Sequence, residues 1–237
     1  LLKSQMVGKI FFTEVARSGF RVTNSLLQWL DSEAFAEKPL SATIKEAALQ
    51  IKAGENEKAI ALLEPIYIKI KSGKLKPKYI DLHKVKITLS HAYHMKGEGL
   101  ILQGNSEEAL KTFKSSVNIN ESNWESYHYI GWIYSEREAH LNAINNFKIA
   151  VNLHPNELSY NEMAYSFNVL GNYKKAIQMA NKAIQINPRH YNAFINRGYA
   201  YTLLNKKEKA RADYKRALRL NPQSIPAQSN LSELKKR

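Results

Sequence analysis

The chain of 237 residues is 44% hydrophobic, which excludes wholesale disorder because enough apolar surface is present to build a core. It contains no cysteine, and this excludes a disulfide framework, thiolate metal sites and a cysteine nucleophile. The formal net charge is +14, of which +10 lies in residues 157–237, so we expect an acidic or anionic partner surface somewhere along the chain.

Residues 1–39 are predicted to form an N-terminal helical extension. Within this segment residues 6–30 are apolar and basic, and Glu14 is their only acidic residue. Two interpretations follow: a helix pair that packs over the next repeat, or a segment that lies on a membrane surface. The sequence contains no run of about 18 apolar residues, so no membrane span is predicted. A cytoplasmic location is favoured, while a periplasmic one stays open.

Residues 40–89 are predicted to contain a divergent first helix pair with an insertion, followed by the extended start of a third helix. Small and apolar residues have the spacing of a helix pair, at Ala47, Gly54, Ala59 and Leu63. The second helix is expected to continue past Pro65 to about Lys71. A long helix is then expected over 77–103, because apolar residues recur along it at helical spacing.

Four self-similar units follow one another from residue 90 to residue 224. They cover 90–123, 124–156, 157–190 and 191–224, and the second unit is one residue shorter than the others. Each unit predicts two antiparallel helices, with a small residue such as Gly131 or Gly198 where their backbones approach each other. The turn between the two helices needs a left-handed residue, and suitable residues stand at Gly104, Gly171 and Asn205.

Aromatic residues on the second helices are expected to fill the space between neighbouring units, at Phe113, Phe147 and Tyr214. Because no unit buries its apolar face alone, stability is expected to come from stacking, and the last unit needs a cover. Residues 225–237 are therefore predicted to form a capping helix, with Leu231 and Leu234 on its apolar side.

The register of small residues, aromatics and prolines resembles the tetratricopeptide repeat over residues 90–224. The resemblance implies an all-α fold, a right-handed superhelical solenoid of helix pairs. It also implies a protein-binding scaffold, either an adaptor or an assembly factor, that holds a partner segment in a concave groove lined by the first helices. No nucleotide-binding, hydrolase or metalloprotease motif occurs, so we expect no enzymatic activity, no catalytic residues and no cofactor.

The resemblance places recurring positions of the first helices on the groove surface. We expect the partner-binding residues to be His94, His128, Tyr129, Trp132, Asn161, Tyr165, Asn192, Asn196 and Tyr199. Rings give contact area with little loss of entropy, and asparagine can pair with an extended backbone. The alternative is that these rings pack on the neighbouring helix. His91, His94 and His128 lack an accompanying Asp or Cys, so we interpret them as groove lining and not as a metal site.

Members of the family that grip a C-terminal carboxylate do so with Lys, Asn and Arg side chains. The matching positions of this chain supply no cation in either of the two registers that can be compared. A carboxylate clamp, and with it a chaperone-cofactor role, is therefore not expected.

The second helix of the last unit carries a ladder of like charges. This basic patch consists of Lys207, Arg211, Lys215, Arg216 and Arg219. It predicts either a solvated convex face or a docking site for an acidic protein, a membrane or nucleic acid. Nucleic acid ranks last, because no nucleic-acid-binding motif is present. The alternative function is thus an anionic-surface binder that uses the basic end of the chain.

Overall fold

The computed structural model describes residues 39–236, and residues 1–38 and 237 lie outside the described part. The chain divides into two compact units, residues 1–43 and 44–237, and only residues 39–43 of the first unit are described. The predicted N-terminal extension, residues 1–39, therefore lies outside the described residues except for Pro39. Its membrane-surface segment, residues 6–30, lies wholly outside them.

Eleven helices follow one another along residues 39–236, and no strand occurs in this part of the chain. The helices are α1 (Leu40–Lys52), α2 (Asn56–Lys71), α3 (Tyr79–Leu102), α4 (Ser106–Ile119), α5 (Trp124–Glu136), α6 (His140–Leu153), α7 (Glu157–Val169), α8 (Tyr173–Ile186), α9 (Tyr191–Leu203), α10 (Lys207–Leu220) and α11 (Ile225–Lys236). The end of α2 and the length of α3 confirm both predictions for this region. A search of the described helices finds none that is long and apolar enough to cross a membrane.

Helices α3 to α10 form four pairs, named repeats 1 to 4 in chain order. The helices of a pair are joined by a three-residue turn, so they run antiparallel. Each pair packs on the next, through contacts of α4 with α5, α6 with α7, and α8 with α9. The first helices of repeats 3 and 4, α7 and α9, also contact each other. Residues 44–236 thus belong to an all-α superhelical solenoid.

Each turn inside a repeat has one residue in the left-handed region. Gly104, Gly171 and Asn205 have φ angles of 77°, 71° and 56°, which confirms the predicted turn positions. Repeat 2 has Glu138 at this place, with a φ angle of 58°, and the sequence pattern did not identify it. Because a Cβ crowds the following carbonyl in this region, the turn is less favourable at Glu138 than at a glycine.

The residue missing from the second unit falls in the turn that leads to the next repeat. That turn has three residues, 154–156, whereas the equivalent turns 120–123 and 187–190 have four. Asn156 still caps α7, because its Oδ1 accepts a hydrogen bond from the backbone N–H of Ser159 at 2.8 Å. The deletion therefore shortens only a turn, and both helices of repeat 2 keep the length of their equivalents.

A ring from the second helix lies directly on a glycine of the first helix in three of the repeats. A Cβ built on each of these glycines would lie 2.6 to 2.7 Å from the nearest ring atom. The pairs are Gly97 with Phe113, Gly131 with Phe147, and Gly198 with Tyr214. The nearest partner of each glycine is thus a ring of its own repeat, and at Gly131 the predicted backbone approach is also present, since the backbone oxygen of Ala143 would lie 3.1 Å from the added Cβ. Phe113 also stacks on Tyr129 of repeat 2, with ring centroids 4.9 Å apart, so this ring fills the space between neighbours as predicted.

Repeat 3 differs from the other three repeats at both of these positions. It has Ala164 on the first helix and Ala180 on the second, and both are fully buried. Repeat 3 contributes Met163, Phe167 and Ala176 to a core cluster, and Ile177 packs against it. Repeat 3 is therefore packed without the ring that the other repeats place on a glycine.

Helix α11 covers the open end of repeat 4, as predicted. Leu234 is buried in a cluster with Ala210 and Tyr214, and Leu231 packs against this cluster. Ala227 is buried in a second cluster with residues of α9 and α10. The cap thus shields the apolar surface that the last repeat would otherwise expose.

Deleting residues 225–237 is expected to lower the thermal midpoint and to promote aggregation, because the apolar clusters under α11 become exposed. Calorimetry and size-exclusion chromatography measure the two effects. Deleting only residues 235–237 leaves Leu234 in place and should give wild-type behaviour. A monodisperse protein with an unchanged midpoint after the longer deletion would contradict the capping role.

Candidate functional site

In repeats 1 and 2 the predicted groove residues are largely held inside the solenoid. His94 is buried, and Tyr129 is half-buried against the Phe113 ring. The hydroxyl of Tyr129 donates a hydrogen bond to Oε1 of Glu98 at 2.7 Å. Burial, together with this carboxylate, raises the pKa of Tyr129 to about 12. Trp132 is half-buried and packs against two core clusters, one shared by repeats 1 and 2 and the other joining repeat 2 to repeat 3. These rings are structural contacts between neighbouring repeats.

Two histidines link successive repeats through serine hydroxyls, an arrangement that the sequence pattern did not reveal. Nδ1 of His94 lies 3.0 Å from Oγ of Ser126, and Nδ1 of His128 lies 3.0 Å from Oγ of Ser159. Burial lowers the pKa of His94, although Glu98 opposes the shift. Burial lowers the pKa of His128 to about 4, and His94 adds to this shift. Both histidines are therefore neutral hydrogen-bonding residues of the solenoid near pH 7.

Acidification is expected to destabilise the protein as the pH falls from about 6.5 towards 4. Unfolded His128 binds a proton near its ordinary pKa of 6.5, whereas folded His128 stays neutral down to about 4. The stability from this residue is therefore fully present above pH 6.5 and is lost as the pH falls, by about 2–3 kcal/mol in total.

Urea unfolding at pH 7 and pH 4.5 measures this loss. The variant His128→Asn, which copies the residue that repeat 3 has at this position, removes the titrating group and isolates its share from that of the carboxylates. If the wild-type protein and the variant lose the same stability between the two pH values, the assignment to His128 is wrong.

A cluster of small polar side chains is buried where repeat 1 meets repeat 2. Nδ2 of Asn123 donates to Oγ of Ser90 at 3.0 Å and to Oγ of Ser116 at 3.1 Å. Oγ of Ser126 donates to Oγ of Ser116 at 2.9 Å. Oδ1 of Asn123 accepts from the backbone N–H of Ser126 at 3.0 Å and caps α5. Because these groups satisfy one another, they stabilise the junction and are not free to bind a partner.

A cavity of about 550 Å³ lies between repeat 3, repeat 4 and the cap. Its lining residues are Glu136, Asn161, Glu162, Tyr165, Asn168, Val169, Asn192, Ile195, Asn196, Tyr199, Pro226 and Asn230. We call it the C-terminal cavity. It brings together five of the predicted groove residues, Asn161, Tyr165, Asn192, Asn196 and Tyr199. The other four, His94, His128, Tyr129 and Trp132, are not among its lining residues.

Two tyrosines of the C-terminal cavity expose nearly half of their surface to solvent. Tyr165 is 45% exposed and Tyr199 is 40% exposed. They occupy the same register position in repeats 3 and 4, the one that Trp132 occupies in repeat 2. The Tyr165 ring meets the ring of His140 edge-on, with centroids 5.9 Å apart, so one side of it is held in place. Exposed rings on adjacent helices give a ligand contact area that needs little further ordering.

Two buried asparagines, Asn161 and Asn168, and the half-buried Asn196 form the floor of the cavity. Nδ2 of Asn196 donates to Oδ1 of Asn161 at 2.9 Å, and Nδ2 of Asn168 donates to the backbone oxygen of Asn196 at 2.8 Å. Asn161 has the register position of His94 and His128, so an Asn–Asn contact replaces the His–Ser contact at the junction of repeats 3 and 4. Among the described residues, Oδ1 of Asn168 has no hydrogen-bond partner, although Asn168 is only 5% exposed.

The charge of the cavity is negative. Its lining includes the carboxylates Glu136 and Glu162 and no Lys, Arg or His. Nδ2 of Asn161 donates to Oε1 of Glu162 at 3.0 Å. Burial raises the pKa of Glu162, the nearby Glu136 adds to the shift, and the bond from Asn161 opposes it. The repeat register places Glu162 among the groove positions of its first helix, whereas Glu136 was not identified from the sequence, because it stands on a different helix and meets Glu162 only in the fold.

The basic patch is partly dispersed by the structure. Arg211, Lys215 and Arg219 are exposed along one side of α10 and line a shallow depression. Lys207 is half-buried at the start of the helix. Arg216 is also half-buried, and its guanidinium lies over the Phe194 ring, 5.9 Å from the centroid. Arg216 therefore presents less of its side chain to solvent than the three exposed residues of the patch do.

A second arginine near the patch is already neutralised inside repeat 4. Arg197 donates from Nε and Nη2 to the two carboxylate oxygens of Asp213, at 2.8 and 2.7 Å. Its Nη1 donates to Oδ1 of Asn181 at 2.7 Å.

Within residues 39–236 no three His, Asp or Glu side chains converge as the ligands of a metal would.

Comparison with known proteins locates family resemblance in three of the four repeats. Models of the Tetratricopeptide repeat match residues 90–123, 159–190 and 191–224. The solved structure of YrrB, a protein with an unusual peptide-binding site, superposes with a TM-score of 0.58 and covers 82% of this chain and 98% of that one. The two sequences are 19% identical, so the likeness shows the fold.

Among curated proteins, the chain is 30% identical over 142 residues to human protein O-mannosyl-transferase TMTC1. The aligned region covers 57% of this chain and 16% of that protein. It is 25% identical over 111 residues to the bovine BBSome complex member BBS4, or 47% of this chain and 21% of that protein. The chain therefore spans about a fifth of the length of these two relatives.

Proposed function

This chain belongs to the tetratricopeptide-repeat family, and from that premise we propose that it is a protein-binding scaffold, an adaptor or assembly factor, that holds an extended segment of a partner protein in the C-terminal cavity. The observation that carries the proposal is the exposure of Tyr165 and Tyr199 on neighbouring first helices within one cavity. Elsewhere on the first helices the described groove rings, Tyr129 and Trp132, are engaged in packing.

The size of the cavity supports an extended segment as the ligand. Ligand pockets have volumes of about 300–1,000 Å³, and this cavity falls within that range. Neighbouring helices pack about 8–10 Å apart, so equivalent rings on α7 and α9 are separated by about three residues of extended chain at 3.3 Å each. A single segment can therefore contact both tyrosines.

The polar lining supports recognition of a peptide backbone. Asn192 is exposed and Asn230 borders the cavity from the cap, and each amide has one acceptor and a donor group. An extended chain presents alternating N–H and C=O groups, which such amides can bind without regard to sequence. The proposed role is binding without catalysis, with rings that supply affinity and amides that fix the register of the segment.

The proposal is tested with Tyr165→Ala combined with Tyr199→Ala. Peptides of about twelve residues, selected on the wild-type protein from a random display library, serve as probes, because they exceed the span of both rings. We expect the double variant to weaken their binding by at least about 2 kcal/mol, roughly thirtyfold, as loss of hot-spot rings does. Fluorescence anisotropy with labelled peptides measures the affinity.

The matched control is Leu102→Ala combined with Leu141→Ala, which removes two exposed apolar side chains outside the cavity. This control should bind the peptides as the wild type does. Trp132 is kept unchanged, because its packing against two cores means that its removal would also destabilise the fold. If the selected peptides bind the tyrosine double variant with the same affinity as the wild type, the proposal is wrong.

A second candidate is an anionic-surface binder, supported by the exposure of Arg211, Lys215 and Arg219 along one side of α10. Reversing these three residues to Glu separates the candidates. If the cavity is the site, the reversal should mainly alter the association rate and its salt dependence. If the reversal abolishes binding of a partner even at high salt while the tyrosine variant binds normally, the basic face is the site.

A further inference from the structure

We propose that the C-terminal cavity selects a partner segment that presents a lysine or arginine side chain, and that Glu136 and Glu162 are the residues that make this selection. The inference rests on the proposed function, since it assigns the chemistry of a segment that the cavity is proposed to hold. It goes further in naming a charge requirement and the residues that impose it.

The two carboxylates carry the argument. Glu136 is the last residue of α5 and Glu162 lies in the second turn of α7, so two elements place negative charge on one cavity. The described lining contains no basic residue to neutralise them. Glu136 also stands at the C-terminal end of its helix, where the unpaired carbonyl groups and the helix dipole add negative potential. The repulsion between the two carboxylates contributes to the raised pKa of Glu162. A bound cation would relieve this repulsion.

The tyrosines favour the same ligand. A cation is attracted to the face of an aromatic ring, and the attraction is stronger where water is partly excluded. Tyr165 and Tyr199 expose ring surface in the cavity that holds both glutamates. Rings next to carboxylates fit the side chains of lysine and arginine, whose apolar stem packs on a ring while the charged end meets the carboxylate.

A hydrogen-bond acceptor on the cavity floor points the same way. Oδ1 of Asn168 has no partner within the described chain, and the residue is 5% exposed. A buried acceptor of this kind is stabilised by an N–H donor from a ligand. Lysine and arginine bring three and five N–H donors and no acceptor, so they match a lining that has carboxylate and amide oxygens to satisfy.

The attraction has to be local, because the chain as a whole repels cations. The net charge is +14, and the exposed basic residues of α10 lie in the repeat that also lines the cavity. Charges beyond about 8 Å are screened at physiological salt, whereas contacts inside a partly buried cavity are screened much less. Selection is therefore expected to appear in the lifetime of the complex more than in its rate of formation.

Display selection on the whole chain tests the charge requirement. Random peptides of about twelve residues are selected on the wild-type protein, with removal of those that also bind Tyr165→Ala/Tyr199→Ala. We expect the retained peptides to share a lysine or arginine at one position. Replacing that residue by glutamine in a labelled peptide should weaken binding about tenfold, as loss of a cation from a partly desolvated ring and carboxylate site does.

The variant Glu136→Gln/Glu162→Gln keeps the shape of both side chains and removes their charge. With it, the lysine or arginine peptide and its glutamine counterpart should bind within about twofold of each other. The control Glu121→Gln/Glu208→Gln removes two exposed carboxylates that do not line the cavity, and it should keep the wild-type preference. Circular dichroism of each variant confirms that the fold is retained.

The outcomes separate this inference from the function on which it rests. Peptides that require Tyr165 and Tyr199 but show no preference for lysine or arginine would overturn the charge requirement and leave the proposed function standing. A preference that survives in the Glu136→Gln/Glu162→Gln variant would overturn the assignment to these two residues. If no selected peptide depends on the tyrosines, the proposed function falls and the inference falls with it.

Discussion

Replacing Gly131 by leucine is expected to lower the free energy of unfolding by about 3 kcal/mol or more, since overpacking a closely packed contact typically costs about 1–3 kcal/mol and here it also displaces a ring. Even the Cβ of the new residue would lie 2.7 Å from the Phe147 ring and 3.1 Å from the backbone oxygen of Ala143. The ring cannot withdraw freely, because Phe147 is fully buried in the core of repeat 2. Urea unfolding measures the change.

Two further variants show whether the ring causes this loss. Gly99→Ala places a methyl group in α3 where no atom beyond the neighbouring residues and the local helix backbone lies within 4 Å, so it should be neutral or stabilise the helix by about 0.5–1 kcal/mol. Gly131→Ala combined with Phe147→Ala copies the alanine pair of repeat 3 and should cost less than the sum of its single changes. A wild-type urea midpoint for Gly131→Leu would show that the helices are not paired as described.

Replacing Arg197 by alanine is expected to destabilise the protein by about 3–5 kcal/mol, the usual loss when one partner of a buried ion pair is removed. The side chain of Asp213 is 8% exposed and that of Arg197 is 20% exposed. Without the guanidinium the Asp213 carboxylate would lose both of its short hydrogen bonds and remain inside repeat 4. The Phe194 ring would also lose the guanidinium that lies over it at 5.3 Å.

The control for this prediction is Arg211→Ala on the neighbouring helix, an exposed residue whose loss should change the stability by less than about 0.5 kcal/mol. The double variant Arg197→Met/Asp213→Leu removes both charges and should recover a large part of the loss, because no uncompensated carboxylate remains buried. Equal midpoints for Arg197→Ala and Arg211→Ala would mean that the pair contributes little.

Helix positions could be predicted from the sequence because the features that end and join these helices are local. Gly104, Gly171 and Asn205 mark turns by their own backbone preference, and helical spacing of apolar residues indicated the length of α3. Glu138 could not be identified in the same way, since a glutamate has no preference for a left-handed turn. Its position follows only from alignment with the other repeats.

The candidate site was harder to predict from the sequence, because the exposure of a side chain at one register position depends on residues elsewhere in the chain. Tyr129 packs on Phe113, which belongs to the preceding repeat. Tyr165 and Tyr199 share the register position of Trp132, yet Trp132 is held between two cores while the tyrosines are exposed. The family register predicts which helix face a residue occupies, and the neighbours decide whether a ring on that face is free.

The charge of the sequence likewise predicted one surface and missed another. The net charge of +10 over residues 157–237 suggested an acidic partner, and the exposed residues of α10 are consistent with such a surface. The same part of the chain also provides most of the lining of a cavity with two carboxylates. The net charge of a segment cannot show that two of its faces carry opposite charges. It also leaves out Glu136, which joins the cavity from the preceding repeat.

The pairing of glycine and ring also restricts how the sequence of a repeat can change over generations. A repeat that passes from Gly and Phe to the two alanines of repeat 3 must change two codons for residues sixteen positions apart. A methyl group added first collides with the ring, and a ring lost first leaves a cavity, so either intermediate is less stable than both ends of the path. Such a path is open only to a chain with stability in reserve. In a stacked array neighbouring repeats supply that reserve, so each added repeat widens the set of sequences that the others can reach.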